Sequence, residues 1–364
     1  MLKIERYNQG EEKVLFLHKH SFGNIFLDAR NIEEIAKYNK RDIHLVNLDD
    51  NPEFLVQMDY MTHERFEHRE KTENVYNEIY DYVLLNDIKL VIVFGTGCFW
   101  SFDFIRRLKS RCYVACYFAD DPEGAEFTSR HYVFMYDYSF CAGVDYDFLT
   151  TVAERYKIWG AKKSKFIPIG LRPVMWKDED IDHKKKDIDI IYIGANNIQK
   201  YFFLAKLKRH FKDRMVIYGK GYDKSTGKIK SFVLKILNKI YGMEGIKPID
   251  QKDIVDVYRR SKIGINKHLS YGISNTRCYE LPANEVLQIC DNERGGEDVF
   301  RSGRDIVYYK NAKDAIKKIE FYLHNDIQRM LIVGHGRLRV KEYTIGKTFK
   351  IIFDTIKGDI NGTL

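Results

Sequence analysis

Between Asn275 and Tyr309 the chain reads NTRCYELPANEVLQICDNERGGEDVFRSGRDIVYY. Arg277 and Glu280 are three residues apart, so they share one face of a helix that Asn275 would cap. A carboxylate in that position can accept both hydroxyls of a ribose. A guanidinium can meet a pyrophosphate through two parallel hydrogen bonds, which a lysine does less well. The same spacing also suits a plain surface ion pair. The placement of these residues after the strand-like KIGIN (262–266) favours the binding reading.

Other strand ends carry similar chemistry. After IIYIG the run Gly194-Ala195-Asn196-Asn197 feeds a helix predicted from Ile198, with Lys200 one turn on. A small-residue turn at a helix start offers free N–H groups and a positive dipole end to a phosphate. A simple asparagine cap is the competing reading. Gly219-Lys220-Gly221, after RMVIY with Tyr218 as its last residue, is a weaker version. In the first half, the candidate bases are His18 and His20 in HKHSFGN, Asp120 and Asp121 in FADDPE, and Thr96 in GTGCFW. His20 and the Asp120–Asp121 pair are the preferred ones, against structural roles as a hydrogen-bonding histidine or a helix cap. GTG is not G-x-G-x-x-G, which argues against a dehydrogenase.

The elements that must position these residues follow an alternating rhythm. Strand-like runs at 13–19, 42–48, 89–97, 112–121, 133–138 and 165–170 alternate with amphipathic segments, including a polar helix predicted over 62–85. The stretch 171–187 has a charge run and no apolar period, and reads as a linker. The rhythm then restarts with strands at 188–197, 214–221, 262–266, 287–290 and 306–309, and a long helix is predicted over 336–357. These imply two Rossmann-like α/β domains, with ligand chemistry in the loops after strands, across a cleft. The domains expected are 1–175 and 176–340, with a C-terminal helix at 341–364 that crosses back to the first.

Composition agrees with a folded α/β protein. Of 364 residues, 45% are apolar and 14% aromatic, too many for disorder. No apolar run is long enough for a bilayer span, MLKIERYNQG does not read as a signal peptide, and a cytoplasmic location is expected. The formal charge of +8 favours anionic partners. Aromatic residues do not interleave with a concentrated basic patch, so nucleic acid is not expected. Cys98, Cys112, Cys116, Cys141, Cys278 and Cys290 lack CxxC spacing and clustered histidines. Cys112 and Cys116, on one face of a strand-like run, read as core thiols, and no metal site is expected.

The pattern N-x-R-x-(aromatic)-E-L-P-A, followed by D-V-F-x-x-G-R-D-I-V-Y-Y and a final H-G-R-x-R-V…Y-T, resembles the CgeB-like (spore maturation) glycosyltransferases of the group 1 family. Its carriers here are Asn275, Arg277, Tyr279, Glu280, Pro282, Ala283, Phe300, Gly303, Tyr343 and Thr344, with an echo at Asp120-Asp121-Pro122, Tyr156 and Gly160. The resemblance implies the GT-B fold, two Rossmann-like domains facing each other across a cleft. It also implies transfer of a sugar from a nucleoside-diphosphate sugar to a glycan, lipid-linked or protein acceptor, with no metal and no further cofactor. The donor set it implies is Gly194, Asn196, Asn197, Lys200, Tyr218, Gly219, His268, Ser274, Asn275, Arg277 and Glu280, with Glu280 on the ribose and Arg277 on the diphosphate. Gly272 stands where the family's Glu-x7-Glu pair would place a second carboxylate, and Asn284-Glu285 replaces an expected small residue. The rival functions are a sugar-nucleotide epimerase of the same fold and a non-catalytic sugar or nucleotide binder.

One further segment, KIKSFVLKILNKIY (228–241), sets an apolar stripe of Ile229, Phe232, Val233, Ile236, Leu237 and Ile240 among lysines. Two readings fit it: a helix packed on its sheet, or a contact to an anionic membrane surface at the inner face of the membrane.

Overall fold

The computed structural model describes residues 2–18, 28–50, 56–58, 65–67, 69–94, 100–126, 128–177, 179, 181–222, 228–269, 275–291 and 299–361. His20, Thr96, Cys98, Gly272 and Ser274 therefore lie outside the described residues. The chain divides into two compact units, Met1–Pro173 with Thr344–Leu364, and Val174–Tyr343.

The first unit runs β1 (Glu5–Asn8), β2 (Glu12–His18), α1 (Ala29–Asn39), β3 (Arg41–Asn47), β4 (Val56–Met58), β5 (Arg65–Glu67), α2 (Arg69–Leu85), β6 (Leu90–Phe94), α3 (Phe102–Lys109), β7 (Tyr113–Phe118), β8 (Tyr138–Cys141), α4 (Val152–Ile158) and β9 (Ser164–Phe166). Its seven-stranded sheet has the order β1-β3-β2-β6-β7-β8-β9. β1 is antiparallel to β3 and the other pairs are parallel. Continuous apolar strands such as VLFL and VIVF fit a parallel sheet covered on both faces. The helices start where side chains cap them: Asp28 accepts from the Asn31 N–H for α1, and Thr151 with Glu154 forms a capping box for α4.

The second unit runs β10 (Ile188–Ile193), α5 (Ile198–Phe211), β11 (Met215–Tyr218), α6 (Lys228–Tyr241), α7 (Gln251–Arg259), β12 (Ser261–Asn266), α8 (Arg277–Ala283), β13 (Leu287–Cys290), β14 (Val307–Tyr308), α9 (Ala312–His324) and α10 (Asp326–Val340). Its five strands are parallel in the order β11-β10-β12-β13-β14. The strand order reverses between β10 and β12, so the switch point lies where those two strands end. The chain then returns to the first unit as α11 (Ile345–Asn361). There the Phe349 ring lies 5.3 Å from Phe16 and 6.0 Å from Phe94, and Asn39 donates to the Gly346 carbonyl.

Three expected elements differ. The helix expected over 62–85 begins only at Arg69, because Arg65–Glu67 pairs as a strand with Val56–Met58. The strand expected over 133–138 starts at Tyr138. Val133–Met135 is a 3₁₀ turn, and Asp137 is tied to the Val114 backbone before pairing with β7 begins. The single helix expected over 336–357 is two helices. Lys341–Tyr343 forms a 3₁₀ turn, with the Tyr343 ring packed against Tyr279 and Phe300.

Candidate active site at the switch point of the second unit

β10 ends in Tyr192-Ile193 and enters the Gly194–Asn197 turn, while β12 ends in Asn266. Arg277, the first residue of α8, reaches across both. Its Nη1 donates to Asn266 Oδ1 at 3.3 Å, and its guanidinium carbon lies 5.0 Å over the Tyr192 ring. A Cβ built on Gly194 would stand 3.2 Å from Arg277 Nη2, so the glycine turn and the guanidinium are neighbours. Burial opposes the charge. Tyr192, Tyr258, Glu280 and Cys278 more than offset it and hold the guanidinium above its ordinary pKa. The hydroxyls of Tyr192 and Tyr222 and the Asn196 Oδ1 are buried with no hydrogen-bond partner among the described residues. Groups of this kind mark places where a polar ligand or water fits.

Asn275 does not cap α8, contrary to expectation. Thr276 holds the N-cap position without a side-chain cap bond. The Asn275 amide exchanges hydrogen bonds with Asn266 at 3.2 and 3.0 Å, which pins the entry of α8 to the end of β12. Glu280 follows one turn later and is buried. The Asn284 side chain closes the helix on the Glu280 carbonyl and on Met175 O, at 2.8 Å each. Glu285, which stands where a small residue was expected, has a φ of +53°, in the left-handed region that favours glycine. Its carboxylate is held there by His183 and Arg337.

Asn197 caps α5 by accepting from the Gln199 N–H at 2.9 Å. Asn196 donates from Nδ2 to the Gly221 carbonyl at 2.8 Å. The Gly194 N–H goes to Tyr218 O and the Asn196 N–H to Lys220 O, so these two turn amides are not offered to a ligand. This corrects the picture of the whole turn as an open amide cradle: parallel strand ends consume part of it. Gly219 is required by contact, since a Cβ there would lie 2.0 Å from the Gly194 carbonyl oxygen. Lys200 is buried in the first turn of α5.

In the first unit, Asp121 is 1% exposed and accepts from the hydroxyls of Ser129 and Tyr156. Burial pushes its carboxyl up to about 7 against the pull of those two hydrogen bonds. Its partners are those of a carboxylate inside the core, whereas Asp120 is exposed. His18 is also buried, with Nδ1 3.4 Å from the Phe94 carbonyl. His20 comes two residues after the end of β2, and β2 and β6 are the strands between which the order of the first sheet reverses.

The thiols are not all isolated. Cys278 Sγ lies 3.3 Å from His268 Nε2, Cys290 Sγ lies 3.9 Å from His268 Nδ1, and Asp291 accepts from His268 Nδ1 at 2.8 Å. His268, expected to face a donor, thus has both ring nitrogens turned to protein groups. Burial opposes the charge on His268, but Cys278 and Asp291 hold its pKa up at about 9. No spacing rule in the sequence finds this cluster, because it forms only when β12, α8 and β13 converge. Tyr192, Tyr222 and Asn266 were missed for a related reason: each is an ordinary residue in or beside a strand until Arg277 is placed against it.

The apolar stripe of α6 also splits in two. Leu234 and Leu237 pack against the core and Asn238 bonds Tyr201 and Tyr222, while Phe232, Val233, Ile236 and Ile240 are exposed. Lys235 and Lys239 are exposed beside them. An adjoining groove of about 810 Å³ is lined by Lys208, Arg209, Lys212, Lys239 and Lys247 among others. Among the described residues no helix is long and apolar enough to cross a membrane.

Residues 199–353 match the family described as glycosyl transferase-like. No curated protein matches the chain in sequence. Among solved structures, a glycosyltransferase from Rickettsia africae has a TM-score of 0.64 at 13% identity, covering 96% of this chain and 98% of that one. Sucrose-phosphate synthase from Thermosynechococcus elongatus has 0.64 at 10%, covering 96% and 100%. Anabaena HepE, solved with UDP and glucose, has 0.61 at 9%, covering 96% and 100%. Residues 199–353 thus resemble the glycosyl transferase-like family, and the α/β architecture of the chain is the GT-B fold.

Proposed function

We propose that this protein transfers a sugar from a nucleoside-diphosphate sugar to a glycan, lipid-linked or protein acceptor. The observation that carries the reading is the placement of Arg277. It lies at the β10/β12 switch point, bonded to Asn266, stacked on Tyr192 and beside the Gly194 turn. Open α/β sheets bind ligands at that point. In this reading the guanidinium and the positive N-terminal end of α5 face the diphosphate, and Glu280 faces the ribose. As the bond to the sugar breaks, negative charge grows on the leaving diphosphate, and a fixed cation placed there stabilises it. No catalytic metal enters this scheme: Asp120 and Asp121 are adjacent rather than alternating, and Asp121 is engaged by Ser129 and Tyr156. His20 is the proposed acceptor-side base.

Binding of UDP to HepE supports a nucleotide-sugar partner for this fold. We further propose an anionic lipid surface as the partner of the outer face of α6, on the inner side of a membrane. Exposed Phe232, Val233, Ile236 and Ile240, with exposed Lys235 and Lys239 on the same helix, are complementary to such a surface.

A thermal-shift panel of UDP, GDP and CDP tests the donor reading, because a ligand that binds only the native state raises its melting temperature. Stabilisation by at least one diphosphate, absent in Arg277→Ala, is expected; no stabilisation by any of them overturns the reading. Nucleotide release on adding a glycan acceptor distinguishes transfer from binding, and NMR of the product distinguishes it from epimerisation.

A further inference from the structure

His268, Cys278 and Cys290 are all buried, and one ligand atom from each lies within 4.8 Å of the others. They come from three places: just past β12, the second residue of α8, and the last residue of β13. The 3.3 Å between Cys278 Sγ and His268 Nε2 is close to the edge of a tetrahedron built from zinc–sulfur and zinc–nitrogen bonds, about 3.5 Å.

The surrounding groups are arranged as a ligating histidine requires. Asp291 accepts from His268 Nδ1 at 2.8 Å and from the His268 backbone N–H at 2.9 Å. Lys267 in turn pairs with Asp291 at 2.6 Å. A carboxylate that takes the Nδ1 proton fixes the ring and turns the Nε2 lone pair outward, towards Cys278 here. Two sulfurs and an imidazole suit a borderline-soft ion with tetrahedral preference, and do not suit Mg²⁺ or Ca²⁺, which require oxygen ligands.

We propose that His268, Cys278 and Cys290 bind one Zn²⁺ as a Cys₂His set, with Asp291 orienting the histidine. Each thiol gives up its proton on binding, so two thiolates balance the dication and the buried site is neutral. The ion ties the first turn of α8, which carries Arg277 and Glu280, to the ends of β12 and β13. Its role is to fix that helix, and it takes no part in the chemistry at the diphosphate. The proposal is independent of the donor reading, since it concerns metal content rather than nucleotide binding.

The test uses the full chain, reduced and purified without added metal, then treated with chelator and titrated with Co²⁺ and Zn²⁺. About one Co²⁺ per chain with sulfur-to-cobalt charge-transfer absorption is expected, and Zn²⁺ should displace it. Zn²⁺ should also protect two thiols of the wild type from a maleimide, with peptide mapping assigning them to Cys278 and Cys290. Asp291→Asn should weaken Zn²⁺ binding on the order of 10–100-fold. Cys278→Ser and Cys290→Ser should each abolish the charge-transfer band, and the wild-type thiol mapping stands as a separate criterion that does not depend on the folding of either variant. Absence of the band together with unchanged maleimide labelling in folded wild type overturns the proposal. So does a Cys278–Cys290 disulfide in freshly reduced, metal-exposed protein.

Discussion

Arg277 sits between an aromatic face, a strand-terminal amide and a glycine turn, and each neighbour limits what can replace it. Lysine keeps the charge but loses the planar fork and the stacking. Arg277→Lys should therefore weaken binding of the stabilising nucleotide by about 1–3 kcal/mol, and Glu280→Ala should cost a similar amount through lost ribose bonds. Calorimetry checks both, and unchanged affinity in both variants would remove the donor site from this end of α8. Asp121 permits a pH prediction. Its folded pKa of about 7 lies above the ordinary carboxylate value of about 3.9, so the folded state keeps a proton that the unfolded chain releases. Its contribution to stability is fully present below about pH 4 and is lost as pH rises to about 7. Asp121→Asn cannot lose that proton, so urea unfolding of the variant should show a flatter stability profile than wild type across the window. Parallel profiles would contradict this.

At the scale of elements, α6 has two apolar faces, and the sequence pattern did not separate them. Positions 234, 237 and 241 share the inner face at helical spacing, while 232, 233, 236 and 240 form the outer one. Lys235→Glu with Lys239→Glu reverses the charge beside the outer face without touching the packed one. Flotation with anionic vesicles should recover the wild type and lose most of the double variant, and added salt should weaken wild-type binding. Equal recovery of both proteins would end the membrane proposal. The glycosyltransferase-like motif proves to be two devices in one run of sequence. Arg277 and Glu280 stand at the switch point, whereas Tyr279, Phe300 and Tyr343 pack ring to ring, with centroids 5.7–6.0 Å apart. Gly303 belongs to the second device, turning the chain with a φ of +72° that a side chain would strain.

For the molecule as a whole, the consequential feature is that the last helix is built into the first unit. Phe349 is fully buried there against Phe16, Phe94 and Tyr117. Phe349→Ala should cost about 3–5 kcal/mol through lost burial and the cavity left behind. Hydrogen exchange checks where the cost falls. Protection should drop in β2, β6 and β7 and stay unchanged in β10 and β12, and a uniform loss would show that the two units unfold as one.

Taken by itself, the sequence determined the alternation of apolar strands and amphipathic helices and the parallel α/β class. Those properties follow from local periodicity and from the rule that parallel strands are buried on both faces. It also made Arg277 and Glu280 conspicuous, because residues three apart share one face of a helix. The tertiary structure decided what those residues touch. Asn275 looked like a cap and became a partner of Asn266, since an amide facing a strand-terminal amide bonds to it in preference to its own helix. Cys278 and Cys290, twelve residues apart, met around His268 because adjacent parallel strands end side by side and α8 starts between them. Contacts of that kind depend on where separate strands stop, and no local pattern encodes it.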